Sequence, residues 1–371
     1  MGRFVESSRG LLPALVAALA TIVAPAAAPA AGVVNVYNWS DYIDPQVLAD
    51  FTKETGIEVR YDVFDSNDLL ETKLLSGKSG YDLVVPTAYF LERQIKAGVF
   101  QKLDKSKLPN LANAWPVITD RLAVYDPGNQ YAVNYMWGTT GVGYNVAKFK
   151  ERFGPDAKLD SWDYVFKPEN LAKFKDCGVH MLDSPDDILS AALNYLGLDP
   201  NFKRAADIEK AAALVTSVRD SVRKFHSSEY INALANGEIC LVIGYSGDIK
   251  QAQSRAKEAN NGVEVGYAIP KEGAQMWFDN FAIPKDAANV AEAHALINYL
   301  MRPDVAAKNT NFVSYANGNL ASQKFVDKAI LDDRTVYPDE ATLARLYIIT
   351  AHDQKTTRLM NRLWTRIKTG R

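Results

Sequence analysis

The 371-residue chain has few of the residues that usually carry catalysis, since it contains only two cysteines and four histidines. The histidines are scattered singly, so no metal-ligand pair and no catalytic triad can be recognised around them. They are His180, His226, His294 and His352. The segment Gly244-Tyr-Ser-Gly-Asp248 is close to a nucleophile elbow, but that motif requires glycine at its last position. We therefore expect a protein that is not an enzyme and that has no metal site and no cofactor.

Long apolar runs are missing beyond residue 31, so no later segment is a candidate for a membrane-spanning helix. The N-terminus differs, because Arg3 and Arg9 precede an apolar stretch over 11–23 and small-residue sites at 24–26 and 28–30. This pattern predicts a signal peptide over residues 1–30 that is cleaved on export. An N-terminal anchor is the less favoured alternative. We expect a periplasmic protein with no direct membrane insertion.

A large excess of one charge is also missing, since the formal net charge is −2. Nucleic-acid-binding proteins usually present a basic face, so we expect no nucleic-acid partner. The residues that remain after the leader suffice for two domains of ordinary size. We expect the protein to be a monomer.

The two cysteines, Cys177 and Cys240, both lie in the middle third of the chain. In an oxidising compartment, two cysteines in an exported chain most simply form one disulfide. Two buried free thiols are the alternative that the sequence leaves open.

Strand and helix signals alternate after the leader. We predict strands over 33–36, 57–64 and 80–86, and helices over 45–54, from Asp65 or Ser66 onward, and over 87–98. This order predicts a parallel sheet with helices on both faces. Residues 39–42, 65 and 87 then lie at one edge of that sheet, where ligands of open α/β sheets bind. We assign Asp65, Ser66 and Asp82 to helix caps and the surface rather than to a site.

A second α/β unit is predicted from a strand over 131–145 to about residue 264. Further strands are predicted over 263–270 and 281–284, and a helix over 287–300. Residues 269–315 are expected to supply extra strands to the first sheet. The tail over 319–371 is expected to be helical. The glycines of the 131–145 strand are not expected to be a dinucleotide-binding fingerprint, because no helix is predicted directly after them.

The stretch around which the chain is organised is the turn after the first strand. Trp39, Ser40, Asp41 and Tyr42 lie there, and Asp44 is a plausible N-cap for the helix that follows. One carboxylate between two aromatic rings is poorly suited to catalysing bond cleavage, but it is well suited to binding an organic cation.

Five segments of the mature chain form a recognisable series. They are Tyr37-Asn-Trp-Ser-Asp-Tyr-Ile43, Gly80-Tyr-Asp-Leu-Val-Val-Pro-Thr87, Trp137-Gly-Thr-Thr-Gly-Val-Gly-Tyr-Asn145, Gly244-Tyr-Ser-Gly-Asp248 and Ile269-Pro-Lys-Glu-Gly-Ala274. Together and in this order they resemble the periplasmic spermidine/putrescine-binding proteins of bacterial ABC importers.

The resemblance implies an α/β type II periplasmic-binding-protein fold, in which two lobes close on a ligand at a hinge. It implies lobe 1 at 32–136 and 269–315 and lobe 2 at 139–264 and 319–371, with crossings near 137–138, 265–268 and 316–318. The implied partners are a polyamine and, transiently, an inner-membrane ABC permease. The resemblance also implies a disulfide between Cys177 and Cys240.

Carried over by position, the resemblance implies an aromatic box around a methylene chain and carboxylates at its amines. The box falls on Trp39, Tyr42, Tyr245, Trp277 and Tyr315. The carboxylates fall on Asp41, Asp187, Asp248 and Asp279, with Asp186 as a rival of Asp187. Ser40 and Thr87 are the implied hydroxyl partners.

The choice of polyamine and the alternatives to polyamine binding remain open at this point. A wide indole at Trp277 weakly favours spermidine over putrescine. The same fold could instead bind a sugar or a ferric ion, and a carboxylate-based hydrolase is a more distant alternative.

Overall fold

The computed structural model of the protein describes residues 1–2 and 32–370. The predicted signal peptide, apart from its first two residues, therefore lies outside the described part of the chain. The strands are β1 Val33–Trp39, β2 Glu58–Phe64, β3 Leu83–Val84, β4 Ala132–Asn145, β5 Val179–Met181, β6 Lys224–Phe225, β7 Leu241–Tyr245, β8 Val265–Ala268, β9 Gln275–Ala282 and β10 Ala316–Asn317.

The α-helices vary from one turn to four turns in length. They are α1 Pro45–Thr55, α2 Asn67–Leu75, α3 Ala88–Lys96, α4 Pro116–Leu122, α5 Val146–Phe153, α6 Asp163–Phe166, α7 Pro168–Leu171, α8 Pro185–Tyr195, α9 Ala205–Val218, α10 Tyr230–Ala235, α11 Ser246–Ala259, α12 Val290–Leu300, α13 Pro303–Val313, α14 Lys328–Leu331, α15 Glu340–Leu343 and α16 Gln354–Thr369. Short 3₁₀ helices cover Lys105–Lys107, Pro109–Asn113, Ala172–Phe174, Arg219–Ser221 and Leu320–Phe325. None of these described helices is long and apolar enough to cross a bilayer.

The strands form one hydrogen-bonded network in the order β2-β1-β3-β9-β4-β7-β5-β6, with β8 and β10 also paired to β4. β1 lies parallel to β2 and β3, and β5 lies parallel to β6 and β7. The long strand β4 is antiparallel to β9 in its first half and to β7 in its second half. It therefore connects the two parallel groups of strands.

Helix α1 shows how local sequence sets the geometry at the edge of the sheet. The Asp44 side chain accepts a hydrogen bond from the backbone N–H of Gln46, and Pro45 occupies the first turn, where it loses no hydrogen bond. The helix ends at Gly56, whose φ of 74° suits a residue without a Cβ. The β1–α1 turn between these features is thus fixed at the end of β1.

The buried apolar side chains form two large clusters and one smaller cluster. One large cluster contains Val34, Phe51 and Leu296, and the other contains Trp162 and Leu241. Each large apolar side chain that is fully buried contributes about 1.5–3 kcal/mol to folding. The two large clusters are compatible with two lobes, and the residue boundaries of those lobes stay a prediction.

Two local predictions were wrong. The strand expected over 281–284 is β9, Gln275–Ala282, whose polar residues interrupt the apolar run that usually marks a buried strand. The described part of the tail is less helical than expected, and its one α-helix longer than four residues is α16. A further helix that was not predicted, α13, begins at Pro303, a position where proline is tolerated.

The two cysteines are paired. Cys177 and Cys240 form a disulfide with their Cα atoms 5.7 Å apart, which confirms the predicted bond. It links the segment before β5 to the segment before β7, two adjacent parallel strands.

Candidate functional site

A pocket lies at the end of β1, where the turn into α1 faces β9 and the first turns of α8 and α11. It is lined by Trp39, Ser40, Tyr42, Asp65, Asn67, Thr87, Tyr89, Asp187, Ser227, Ser228, Tyr245, Asp248, Gln275, Trp277, Asp279 and Tyr315. All the implied site residues except Asp41 are therefore brought together. Neither lysine nor arginine is among the described residues that line the pocket.

Aromatic rings form a continuous wall of this pocket. Tyr42 meets Tyr315 edge to face at 5.1 Å between ring centroids, and Tyr315 meets Trp277 at 5.4 Å. Trp277 in turn meets Tyr245 at 5.5 Å. Trp39 is held separately by a 3.0 Å hydrogen bond from its indole N–H to the carbonyl of Val85. Edge-to-face contacts of this kind rigidify the wall, and aromatic faces suit both methylene groups and cations.

Asp279, on β9, is a buried carboxylate held by two hydroxyl groups. Thr87 donates to its Oδ1 at 2.6 Å, and Tyr42 donates to its Oδ2 at 2.8 Å. Burial raises the pKa of Asp279 to about 7, although these two hydrogen bonds act in the opposite direction. The neighbouring charges of Asp187 and Asp248 raise it further.

Asp248, in the first turn of α11, is held in the same way by two tyrosines. Tyr315 donates to Oδ1 and Tyr230 donates to Oδ2, both at 2.6 Å. Burial raises the pKa of Asp248 to about 6. The position near a helix N-terminus and the two phenol donors favour the charged form, but they do not offset the loss of water.

Asp187, in the first turn of α8, is the third buried carboxylate. Thr140 and Ser184 donate to it at 2.7 Å and 2.6 Å, and Tyr245 donates at 3.2 Å. Burial raises its pKa to about 6. Its rival Asp186 does not line this pocket and instead contacts His352 Nε2 at 3.0 Å.

The pocket therefore holds three buried carboxylates without a cationic side chain among them. Ionised carboxylates in a buried site need a positive partner, and none of the described residues that line the pocket is a lysine or an arginine. An organic cation with an apolar body would satisfy both the carboxylates and the rings. Among the described residues, no group of three His, Cys, Asp or Glu side chains is placed to hold a metal ion.

Asp41 does not occupy the implied position. Its φ of 53° places it in the left-handed region, which aspartate tolerates in turns, and its side chain is exposed. The carboxylate accepts a 2.8 Å hydrogen bond from Arg255, and its backbone carbonyl accepts one from Gln251 at 3.3 Å. Both partners lie on α11. Asp41 therefore joins the β1–α1 turn to a helix of the other predicted lobe and does not line the pocket.

This geometry predicts that Asp41 affects ligand binding only indirectly, through its ion pair with Arg255. Because both side chains are about one-third or more exposed, their pair is worth about 0–1 kcal/mol. We expect Arg255→Ala to weaken ligand binding by up to about fivefold, and Asp41→Asn to weaken it equally. The double variant should lose no more than either single variant when binding is measured by calorimetry.

The same experiment separates this role from the one that the sequence implied. If Asp41 contacted the ligand, Asp41→Asn would weaken binding far more than Arg255→Ala, and the two effects would add. High salt gives a further control, since it should reduce the effect of both single variants by screening the exposed pair.

Sequence reasoning missed six residues that line the pocket, namely Asp65, Asn67, Tyr89, Ser227, Ser228 and Gln275. For Asp65 and Asn67 the signal was present, because they follow β2 at the sheet edge already identified as the ligand edge. Ser40 donates a hydrogen bond to Asp65 there, so Asp65 is not only a surface residue. Tyr89 follows β3 at the same edge of the sheet, so the same argument could have identified it. The two serines lie in a loop and left no pattern.

Comparison with known proteins decides the family. The model of the bacterial extracellular solute-binding protein family matches residues 46–335. The chain belongs to this family. It is 56% identical over 339 residues to the putrescine-binding periplasmic protein SpuD of Pseudomonas aeruginosa, covering 91% of this chain and 92% of the relative. It is 52% identical over 338 residues to the putrescine-binding periplasmic protein PotF of Escherichia coli, covering 91% of each.

A solved structure agrees with the sequence comparisons. It is described as a spermidine/putrescine ABC transporter from Listeria monocytogenes, superposes with a TM-score of 0.82 at 32% identity, and covers 92% of this chain and 100% of the other. The predicted α/β type II periplasmic-binding-protein fold is confirmed, and so is the resemblance to the periplasmic polyamine-binding proteins. The family consists of solute-binding transport proteins that are not enzymes.

Proposed function

We propose that this protein binds a polyamine in the pocket between α8, α11 and β9 and delivers it to an ABC permease. The observation that carries the proposal is the set of three buried carboxylates on Asp187, Asp248 and Asp279. Aromatic rings enclose them, and no lysine or arginine is among the described residues that line the pocket. The similarity to relatives named as putrescine-binding supports the same ligand class.

The apolar chain and the charged ends of a polyamine match the aromatic rings and the carboxylates that line the pocket. The methylene chain packs against the rings of Trp39, Tyr315 and Trp277, which lose little side-chain entropy because they already contact their neighbours. Each ammonium group meets carboxylates and ring faces, and a good cation–π contact is worth about 0.5–2 kcal/mol. The bound cation also relieves the repulsion among the carboxylates, which favours the closed arrangement of the pocket.

Within this class we propose putrescine as the preferred ligand. The relatives at 56% and 52% identity are both named as putrescine-binding, and they do not support the preference for spermidine that Trp277 suggested. We expect Trp277→Phe to weaken spermidine binding more than putrescine binding, because the longer chain needs the wider indole face. Equal losses, measured by calorimetry, would show that Trp277 does not discriminate between the two amines.

A thermal-shift screen tests the proposed ligand class directly. We expect putrescine to raise the melting temperature most and spermidine to raise it less. Maltose and ferric citrate, which represent the sugar and ferric alternatives, should leave it unchanged. A shift by maltose or ferric citrate without a shift by either amine would overturn the proposal.

A further inference from the structure

Two glycines lie directly behind the rings that form the pocket wall. Gly138 on β4 is paired with Trp277 on β9, so the indole lies across the glycine. Gly247 in the first turn of α11 lies against the ring of Tyr315. Neither glycine has a φ in the left-handed region, and so neither is needed for backbone conformation.

The space at Gly138 is already filled by the indole. A Cβ at this position would lie 2.7 Å from Cζ2 and 2.9 Å from Cη2 of Trp277. Those distances are too short for carbon atoms, whose favourable separation is about 3.5–4.0 Å. An alanine at 138 would therefore displace the indole, which lines the pocket and contacts Tyr245 and Tyr315 there.

Gly247 is in the same situation. A Cβ there would lie 2.5 Å from Cε2 and from Cγ of Tyr315. The hydroxyl of that tyrosine donates to Asp248, so displacement of the ring would also move a donor away from a carboxylate of the site. Glycine weakens both strands and helices relative to alanine. The stability of β4 and α11 therefore does not explain glycine at these two positions, whereas the close ring contacts do.

We propose that Gly138 and Gly247 are positioning residues that set the width of the ligand pocket by allowing Trp277 and Tyr315 to sit back against the backbone. This inference rests on the proposed function, since it concerns how closely the ring walls approach a bound alkyl chain. The two glycines specify a thin, unbranched chain. The pairing also makes residues 138 and 277 interdependent: a side chain at 138 is compatible with a smaller ring at 277.

The pairing of Gly138 with Trp277 can be tested by a double-mutant cycle. Ser246 Oγ would also lie 2.8 Å from the added Cβ, so all four proteins carry Ser246→Ala. The set contains this parent, the parent with Gly138→Ala, the parent with Trp277→Phe, and the parent with both changes. Phenylalanine lacks the Cζ2–Cη2 edge of the indole. Putrescine affinity is measured by calorimetry, and the ligand-free melting temperature is measured for each protein.

We expect Gly138→Ala to weaken putrescine binding at least tenfold beside Trp277, and less than threefold in the Trp277→Phe background. A similar loss in both backgrounds, or no loss beside Trp277, would overturn the proposal. If the variant with Gly138→Ala alone does not fold, recovery of folding and binding in the double variant supports the proposal, and failure of both overturns it.

Gly266→Ala is the matched control. A Cβ at Gly266 would lie 2.6 Å from Cζ of Tyr144, a ring that does not line the pocket. We expect this variant to lower the melting temperature without a matching loss of putrescine affinity. If the unmodified protein binds neither putrescine nor spermidine, the proposed function fails. The coupling of residues 138 and 277 is then judged from the melting temperatures alone, where Trp277→Phe must recover the loss caused by Gly138→Ala.

Discussion

Asp279→Asn is expected to weaken putrescine binding by about 30- to 4,000-fold while leaving the ligand-free protein as stable as before, or more stable. The loss corresponds to the 2–5 kcal/mol that removal of one partner from a buried, hydrogen-bonded charge pair typically costs. Stability should not fall, because the buried carboxyl is held near a pKa of about 7 without a cationic partner. Calorimetry and thermal melts of the same preparations measure both effects.

Asp120→Asn is the matched control for that experiment. It makes the same change of charge at an exposed position on α4, and Asp120 does not line the pocket. We expect its binding and stability to equal those of the unmodified protein. If Asp279→Asn lowered stability and binding together, the carboxylate would be a structural element rather than a contact of the ligand.

The second large effect is a dependence of binding on pH. The pKa values of Asp187 and Asp248 are raised to about 6 and that of Asp279 to about 7, in each case mainly by burial. A polyamine keeps its charge throughout this range but requires ionised carboxylates. We expect putrescine affinity to fall by about two orders of magnitude from pH 8 to pH 5.5, since each carboxyl that must lose a proton contributes up to about tenfold per pH unit.

The stability of the ligand-free protein should change in the opposite direction. Between pH 4 and pH 7 the folded state binds more protons than the unfolded state at these three carboxyls, so their contribution to stability falls as pH rises. Thermal melts with and without putrescine should therefore diverge as pH increases. An affinity that stays constant from pH 8 to pH 5.5 would contradict the raised pKa values, and Asp279→Asn should make the slope shallower.

Much of the architecture could be predicted from local patterns. The cap at Asp44, proline at the first turn of α1 and glycine at its end place this helix within a residue of its observed bounds. These signals are readable because they depend on neighbouring residues only. The strand β9 could not be read in this way, since its residues Gln275, Trp277 and Asp279 serve a polar pocket inside a buried strand.

The residues of the candidate site also differ in how far local sequence could predict their positions. The resemblance supplied most of its residues, but it misplaced Asp41, because the direction of a side chain on a turn depends on the backbone angle there and on the helix opposite. Asp65 and Tyr89 were overlooked for a related reason: a residue near the start of a helix is recognised by its position, whereas its exposure to a pocket depends on distant segments of the chain.

By itself, the sequence of this protein predicted a compartment and determined the α/β class and the types of side chain at the candidate site, because composition, periodicity and short motifs are local properties. Only the tertiary structure decided that Asp41 pairs with Arg255, that Asp187 rather than Asp186 lines the pocket, and that Gly138 lies behind Trp277. Each of these facts joins residues that are at least 47 positions apart or depends on which of two neighbours faces inward. Such relations are set by packing, and no local pattern records them.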